Sequence, residues 1–176
     1  MSEAFDRAVA YVLEQEGGYV SDPIDPGGET SFVISHPVLK RAIFLGLVPT
    51  DATARTLTRD QAIGIYRDLY WSPIAGAELP AHIAFELFDS AVNQGPDAAT
   101  RLLQKALCVK EDGIVGPKTI AAAKANHDSP RLLDEFTSHR LLRYARTANA
   151  DRFLYGWLRR AVGTHRRGLA LLWSVA

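Results

Sequence analysis

The chain is short of the residues that would make most chemistries easy to assign. It has a single cysteine, Cys108, so no internal disulfide forms, and its Leu-Cys-Val setting reads as a small core residue. Its five histidines, His36, His82, His127, His139 and His165, form no His-x-x-x-His pair and no His–Cys cluster, which argues against a zinc peptidase or amidase. Gly-x-Ser-x-Gly and phosphate-loop motifs are absent. No run is apolar enough for a membrane span. The opening Met-Ser-Glu-Ala-Phe-Asp-Arg lacks a basic stretch followed by an apolar one, so the sequence reads as made in the cytoplasm without a signal peptide. Neither a cofactor nor a metal is expected, and nothing points to nucleic acid.

Net charge is also lacking, but only in the sum. Residues 1–100 hold 6 Lys/Arg against 14 Asp/Glu, and residues 101–176 hold 14 against 6. The early part suits acid chemistry and the late part attachment to something anionic; two differently charged solvated faces would give the same numbers. With 176 residues, 47% of them hydrophobic, the chain suits one compact, monomeric domain with a proper core.

What is present is a dense run from Glu16 to Thr30, with four glycines, two prolines and the acids Glu16, Asp22, Asp25 and Glu29. Before it, Phe5, Val9, Val12, Leu13 and Glu16 fall on one face of a helix over residues 3–16, capped by Ser2. Glu16 thus ends an apolar stripe, and burial there raises a carboxyl's pKa, as a general acid requires. One such carboxyl beside others in a polar loop is the arrangement glycoside hydrolysis uses. A solvated acidic turn fits the same composition; a calcium loop fits poorly, because the acids miss the EF-hand spacing.

The rest has helical period. Ser31–Ile34 reads as a short strand-like piece, His36-Pro37 as a break, and residues 38–45 as a short helix. Thr58 and Gln61 make a capping box for a helix ending at Trp71-Ser72-Pro73. Helices follow from Pro80 to Asn93-Gln94-Gly95-Pro96, from about Asp97, after the turn-rich link Lys110–Pro117 to about Ala125, from about Pro130 to Ala148, and from Phe153 onward. The fold class is all-α, with a small β-hairpin near residues 19–35. The last helix carries Arg152, Arg159, Arg160, Arg166 and Arg167, expected to face outward and meet anionic envelope polymers.

Glu16-Gly-Gly-Tyr-Val, Asp22-Pro and Asp25-Pro-Gly-Gly-Glu-Thr30 resemble the opening motif of glycoside hydrolase family 108, which includes phage endolysins and N-acetylmuramidases. Tyr66-Arg-Asp-Leu-Tyr-Trp71 is similar to the family's aromatic helix end, and Phe88–Gly95 to its central helix. Leu103-Gln104 with Asp112-Gly-Ile-Val-Gly-Pro-Lys-Thr119 resembles its peptidoglycan-binding half, and Phe153–Arg160 its ending. The resemblance implies a lysozyme-like helical fold and cleavage of the β-1,4 bond between N-acetylmuramic acid and N-acetylglucosamine. It implies a catalytic half over residues 1–96 and a peptidoglycan-binding half over 97–176, packed as one domain. It assigns catalysis to Glu16.

Phage-type lysozymes, a wider likeness, place an Asp after eight intervening residues and a Thr about five further on. Asp25 and Thr30 fit, with four residues between them; Asp22 and Glu29 compete for the role of second carboxylate. Tyr19, Tyr70 and Trp71 are candidates to stack on sugars, and Asn93 and Gln94 to bond acetamido groups, against the alternatives of core packing and helix capping. The family's Phe-Gly-Ile is here Phe32-Val33-Ile34. That departure motivates a second reading, a catalytically inactive wall-binding module. The basic last helix motivates a third, a membrane-active protein; lytic transglycosylation starts from the same acid as hydrolysis. A protein of this kind would reach the wall after release by a holin or another export route.

Overall fold

The computed structural model describes residues 3–15, 20–21, 29–30, 32, 34–148 and 150–174. It is all-α, with eight α-helices among those residues: α1 (Glu3–Glu14), α2 (His36–Phe44), α3 (Arg59–Tyr66), α4 (Ala81–Gln94), α5 (Pro96–Ala106), α6 (Pro117–Ala125), α7 (Pro130–Ala145) and α8 (Ala150–Ser174). Two two-residue strands, β1 (Val20–Ser21) and β2 (Glu29–Thr30), pair antiparallel with Val20 opposite Thr30, within the span expected for a hairpin. Of the strand-like piece Ser31–Ile34, Ile34 makes a single bridge, and Ser31 and Val33 lie outside the described residues.

Local chemistry sets most boundaries. The Thr58 hydroxyl accepts from the Gln61 N–H and the Gln61 side chain accepts from the Thr58 N–H, the reciprocal cap expected. His36-Pro37, read as a break before a helix over 38–45, is itself the first turn of α2, where the missing N–H of Pro37 costs nothing. After α3 the chain widens into one π-helical turn, Arg67–Trp71, with the Ser72 N–H bonding the Arg67 carbonyl. Gly95 joins α4 to α5 at φ +86°, a value open to glycine and strained for other residues.

α4 is the centre. Every residue from His82 to Ala91 is buried, so this helix is covered on all sides rather than along one apolar stripe. α1, α5, α7 and α8 all pack on it, and α7 packs along α8. Phe5 of α1 and Phe88 of α4 meet the indole of Trp71, with ring centroids 5.4 and 5.6 Å away. The α8 residues turned toward the bundle are small, Ala161, Thr164 and Gly168, with Leu172 beyond them. A Cβ on Gly168 would lie 2.2 Å from Glu86 Oε1, so the two helices approach as closely as they do because position 168 has no side chain. α8 is therefore a packed helix of the bundle. None of the described helices is long and apolar enough to cross a membrane.

Candidate active site

α1 has the predicted apolar face, with Phe5, Val9 and Val12 buried and Tyr11 added to them. Glu16, Tyr19, Asp22 and Asp25 lie outside the described residues, as does Val33. Thr30 closes the β1–β2 pair through its backbone. The described approach to Glu16 ends at Gln15, whose N–H bonds back to the carbonyls of Tyr11 and Val12.

Gln15 lines a cleft of about 1270 Å³ between the ends of α1 and α4 and one flank of α8. Asn93 lines it too, its side-chain amide donating to the Asp89 carbonyl one turn earlier. The next residue, Gln94, is unusual: both polar atoms of its side chain are buried and neither has a hydrogen-bond partner. Few buried amides are left so, and those that are invite a ligand or a water. The two residues proposed from sequence are consecutive at the end of the central helix, Asn93 lining the cleft and Gln94 with its amide buried beneath the surface.

The aromatic candidates divide. Trp71 is 5% exposed, its ring set against Phe5, Phe88 and Gly76, so it is a core residue and presents no face to a sugar. Tyr70 is partly exposed beside Tyr66; burial, only partly offset by Arg41, raises its pKa. Cys108, expected in the core, is exposed, at φ +55° in the turn after α5. Arg160, expected to face outward, turns inward and bonds Asp89 through Nε at 2.9 Å; Arg159, Arg166 and Arg167 do face out.

Under the cleft runs a polar network that periodicity did not show. Asp89 on α4 accepts from Arg140 of α7 at 2.6 Å, from Arg160 of α8 and from the Thr164 hydroxyl at 3.0 Å. Burial pushes the Asp89 carboxyl up, but Arg140 and Arg160 outweigh it and hold its pKa below the ordinary value. One turn back, Glu86 accepts from Thr137 at 3.0 Å and meets His165 Nδ1 at 3.2 Å, while His165 Nε2 lies 3.1 Å from Asp134. Burial raises the pKa of Glu86; the Glu86 hydrogen bond raises that of His165.

The motif Gln104…Asp112–Thr119 folds as a brace. The Gln104 amide donates to Asp112 Oδ1 at 2.8 Å, to the Ile114 carbonyl and to the Thr119 hydroxyl, and its oxygen accepts the Gly113 N–H. Gly113 sits at φ +79° against Asp97 and Arg101, where a side chain has no room. These residues shape the α5–α6 connection, and their polar atoms are used within it. Among the described residues, no group of His, Cys, Asp and Glu is placed to hold a metal ion.

The described all-α bundle carries its cleft where the ends of the first and central helices meet the last helix. Residues 9–95 match the family Glycosyl hydrolase 108, and residues 98–162 match the family described as Predicted Peptidoglycan domain. The fold is similar to the structure of Brucella abortus SagA, with TM-score 0.86 and 34% identity over 96% of this chain and 95% of that one. No curated protein matches the sequence. The chain belongs to the glycosyl hydrolase 108 family and is a peptidoglycan hydrolase.

Proposed function

We propose that the protein is a muramidase, cleaving the β-1,4 bond between N-acetylmuramic acid and N-acetylglucosamine with Glu16 as the general acid. The observation that supports this best is the cleft. The end of α1 brings Gln15, the residue before Glu16, into its lining together with Asn93 from the last turn of the central helix. A carboxyl following an apolar helix face is in the setting that keeps it protonated for transfer to the leaving oxygen.

Asp25 and Thr30 take the water side of the sugar. Tyr19, Tyr70, Asn93 and Gln94 contact the glycan. Residues 1–96 carry the chemistry and 97–176 hold the wall. The protein acts on the cell wall after leaving the cytoplasm.

The test is digestion of purified peptidoglycan by the parent protein and by Glu16→Gln, with mass spectrometry of the products. Reducing muramic ends from the parent, and a loss of several orders of magnitude in the folded variant, are expected. Anhydro-muramic ends would replace hydrolysis with lytic transglycosylation. A parent that sediments with the sacculus but releases nothing would make the chain a wall-binding module.

A further inference from the structure

Two features of α8 stand outside the chemistry just described, though one of their residues, Gly163, also packs on the bundle, where a Cβ would lie 3.3 Å from the Tyr11 hydroxyl. Gly156, Gly163 and Ala170 recur every seven residues along the wall of the cleft. A Cβ on Gly156 would meet nothing within 4 Å, although glycine inside a helix costs about 1 kcal/mol relative to alanine. No packing contact explains that glycine. Beside this low strip stand Arg159 and Arg166, both exposed, both lining the cleft, and neither paired with a carboxylate among the described residues. Their neighbours differ: Arg160 is bound to Asp89, and Arg167 lies 3.5 Å from Glu14 with its guanidinium over the Tyr11 ring. Tyr155, one turn before Arg159 on the same flank, is 80% exposed.

We propose that this flank of α8 is a subsite for the peptide stem of peptidoglycan, with Arg159 and Arg166 receiving its carboxylates. This rests on the reading of the chain as a glycan-cleaving enzyme and adds what it selects. N-acetylated glycan is neutral along its length. The anionic groups nearest the scissile bond are the free carboxylates of the peptide carried on each muramic lactyl group. A guanidinium takes a carboxylate through two parallel hydrogen bonds, and the walls of a cleft strengthen an attraction that salt would weaken on an open surface. Seven residues apart, the two arginines lie two turns apart on one face, about 10 Å along the helix axis. That is the span of about three extended residues, so one short peptide lying along the Gly156–Gly163 strip reaches both. The exposed Tyr155 ring closes one end as a surface for the sugar or the lactyl group.

The test compares soluble glycan chains bearing tetrapeptide stems with the same chains stripped by an amidase. The parent's kcat/KM is expected to favour the peptide-bearing chains by at least tenfold, and Arg159→Gln/Arg166→Gln to bring that ratio close to one. A ratio equal in the two proteins overturns the subsite. If the parent cleaves neither chain, the glycan-cleaving reading fails by itself. Affinity for the isolated stem tetrapeptide then decides the subsite: a tenfold loss in the double variant supports it, and no difference removes it.

Discussion

Arg140 and Asp89 meet at 2.6 Å with side chains 2% and 1% exposed, a charge pair fully enclosed between α7 and α4. Arg160 closes the other oxygen of the same carboxylate from α8. The Thr164 hydroxyl, itself 3.3 Å from the Tyr11 hydroxyl, links α1 to the group. One carboxylate thus ties together four helices that come from both parts of the chain.

Because two arginines converge on it, Asp89→Ala removes the carboxylate that both share, and Arg140, which is deeply buried, keeps only the neutral Tyr144 hydroxyl as a side-chain hydrogen-bond partner among the described residues. Removing one member of a buried pair costs about 3–5 kcal/mol. The expected result is a fall of that size in urea-unfolding stability, with α7 and α8 losing hydrogen-exchange protection together. A fall below about 1 kcal/mol would mean the network is ornamental to the packing.

His165 gives a pH dependence of definite sign. Its pKa is raised above the ordinary 6.5, first by the Glu86 hydrogen bond, against burial, and then by the charges of Glu86 and Asp134. A histidine raised on folding stabilises fully below the unfolded value and loses that contribution as pH rises through the folded value. The groups facing it are Glu86 from α4 and Asp134 and Thr137 from α7, with Arg140 further along α7 acting on Glu86. The melting temperature of the parent should therefore exceed that of His165→Gln at pH 5.5 by more than at pH 9. Parallel curves across that range would remove His165 from the account.

Two glycines of one helix should respond in opposite directions. Gly168→Ala drives a Cβ into Glu86 Oε1 and Cδ, 2.2 and 2.9 Å away, and is expected to destabilise by about 1–3 kcal/mol despite alanine's better helix propensity. Gly156→Ala meets no atom within 4 Å and should stabilise by about 0.5–1 kcal/mol. The same sign at both positions, measured by denaturant midpoints, would contradict the α4–α8 approach described.

The helices were legible because each carries its signals locally: the Thr58–Gln61 box, Pro80 and Pro130 at the starts of α4 and α7, and the apolar period of α1; Pro37, Pro96 and Pro117 read as breaks or turns and in fact open α2, α5 and α6. The network was not. Glu86 and Asp89 stand off the Ile83–Leu87–Ala91 stripe, and periodicity assigns that side to solvent; only the later helices turn it inward. The available cue was five arginines crowded into the last helix with few acids near them in sequence, which requires partners from elsewhere for any that turn inward. Trp71 failed as a sugar platform for the converse reason. Its place at a helix end says nothing of Phe5 and Phe88, which reach it from 66 and 17 residues away and cover both its approaches. Asn93 stands in the last turn of the central helix and lines the cleft there.

Gln94 should show opposed effects on stability and function. Its amide is buried with neither its nitrogen nor its oxygen bonded. An unmade hydrogen bond of this kind costs about 1–3 kcal/mol, and nearly isosteric Gln94→Met removes both polar atoms while keeping the volume. The free protein should therefore become more stable, by a rise in its urea midpoint. An orphaned amide beside Asn93 also has what an acetamido group needs, one donor and one acceptor with no competing partner. Gln94→Met should accordingly lower kcat/KM on peptidoglycan by about tenfold, mainly through KM. Higher stability with unchanged kinetics would leave Gln94 as a packing defect and withdraw it from the substrate; lower stability would mean that a partner, a bound water above all, already satisfies it.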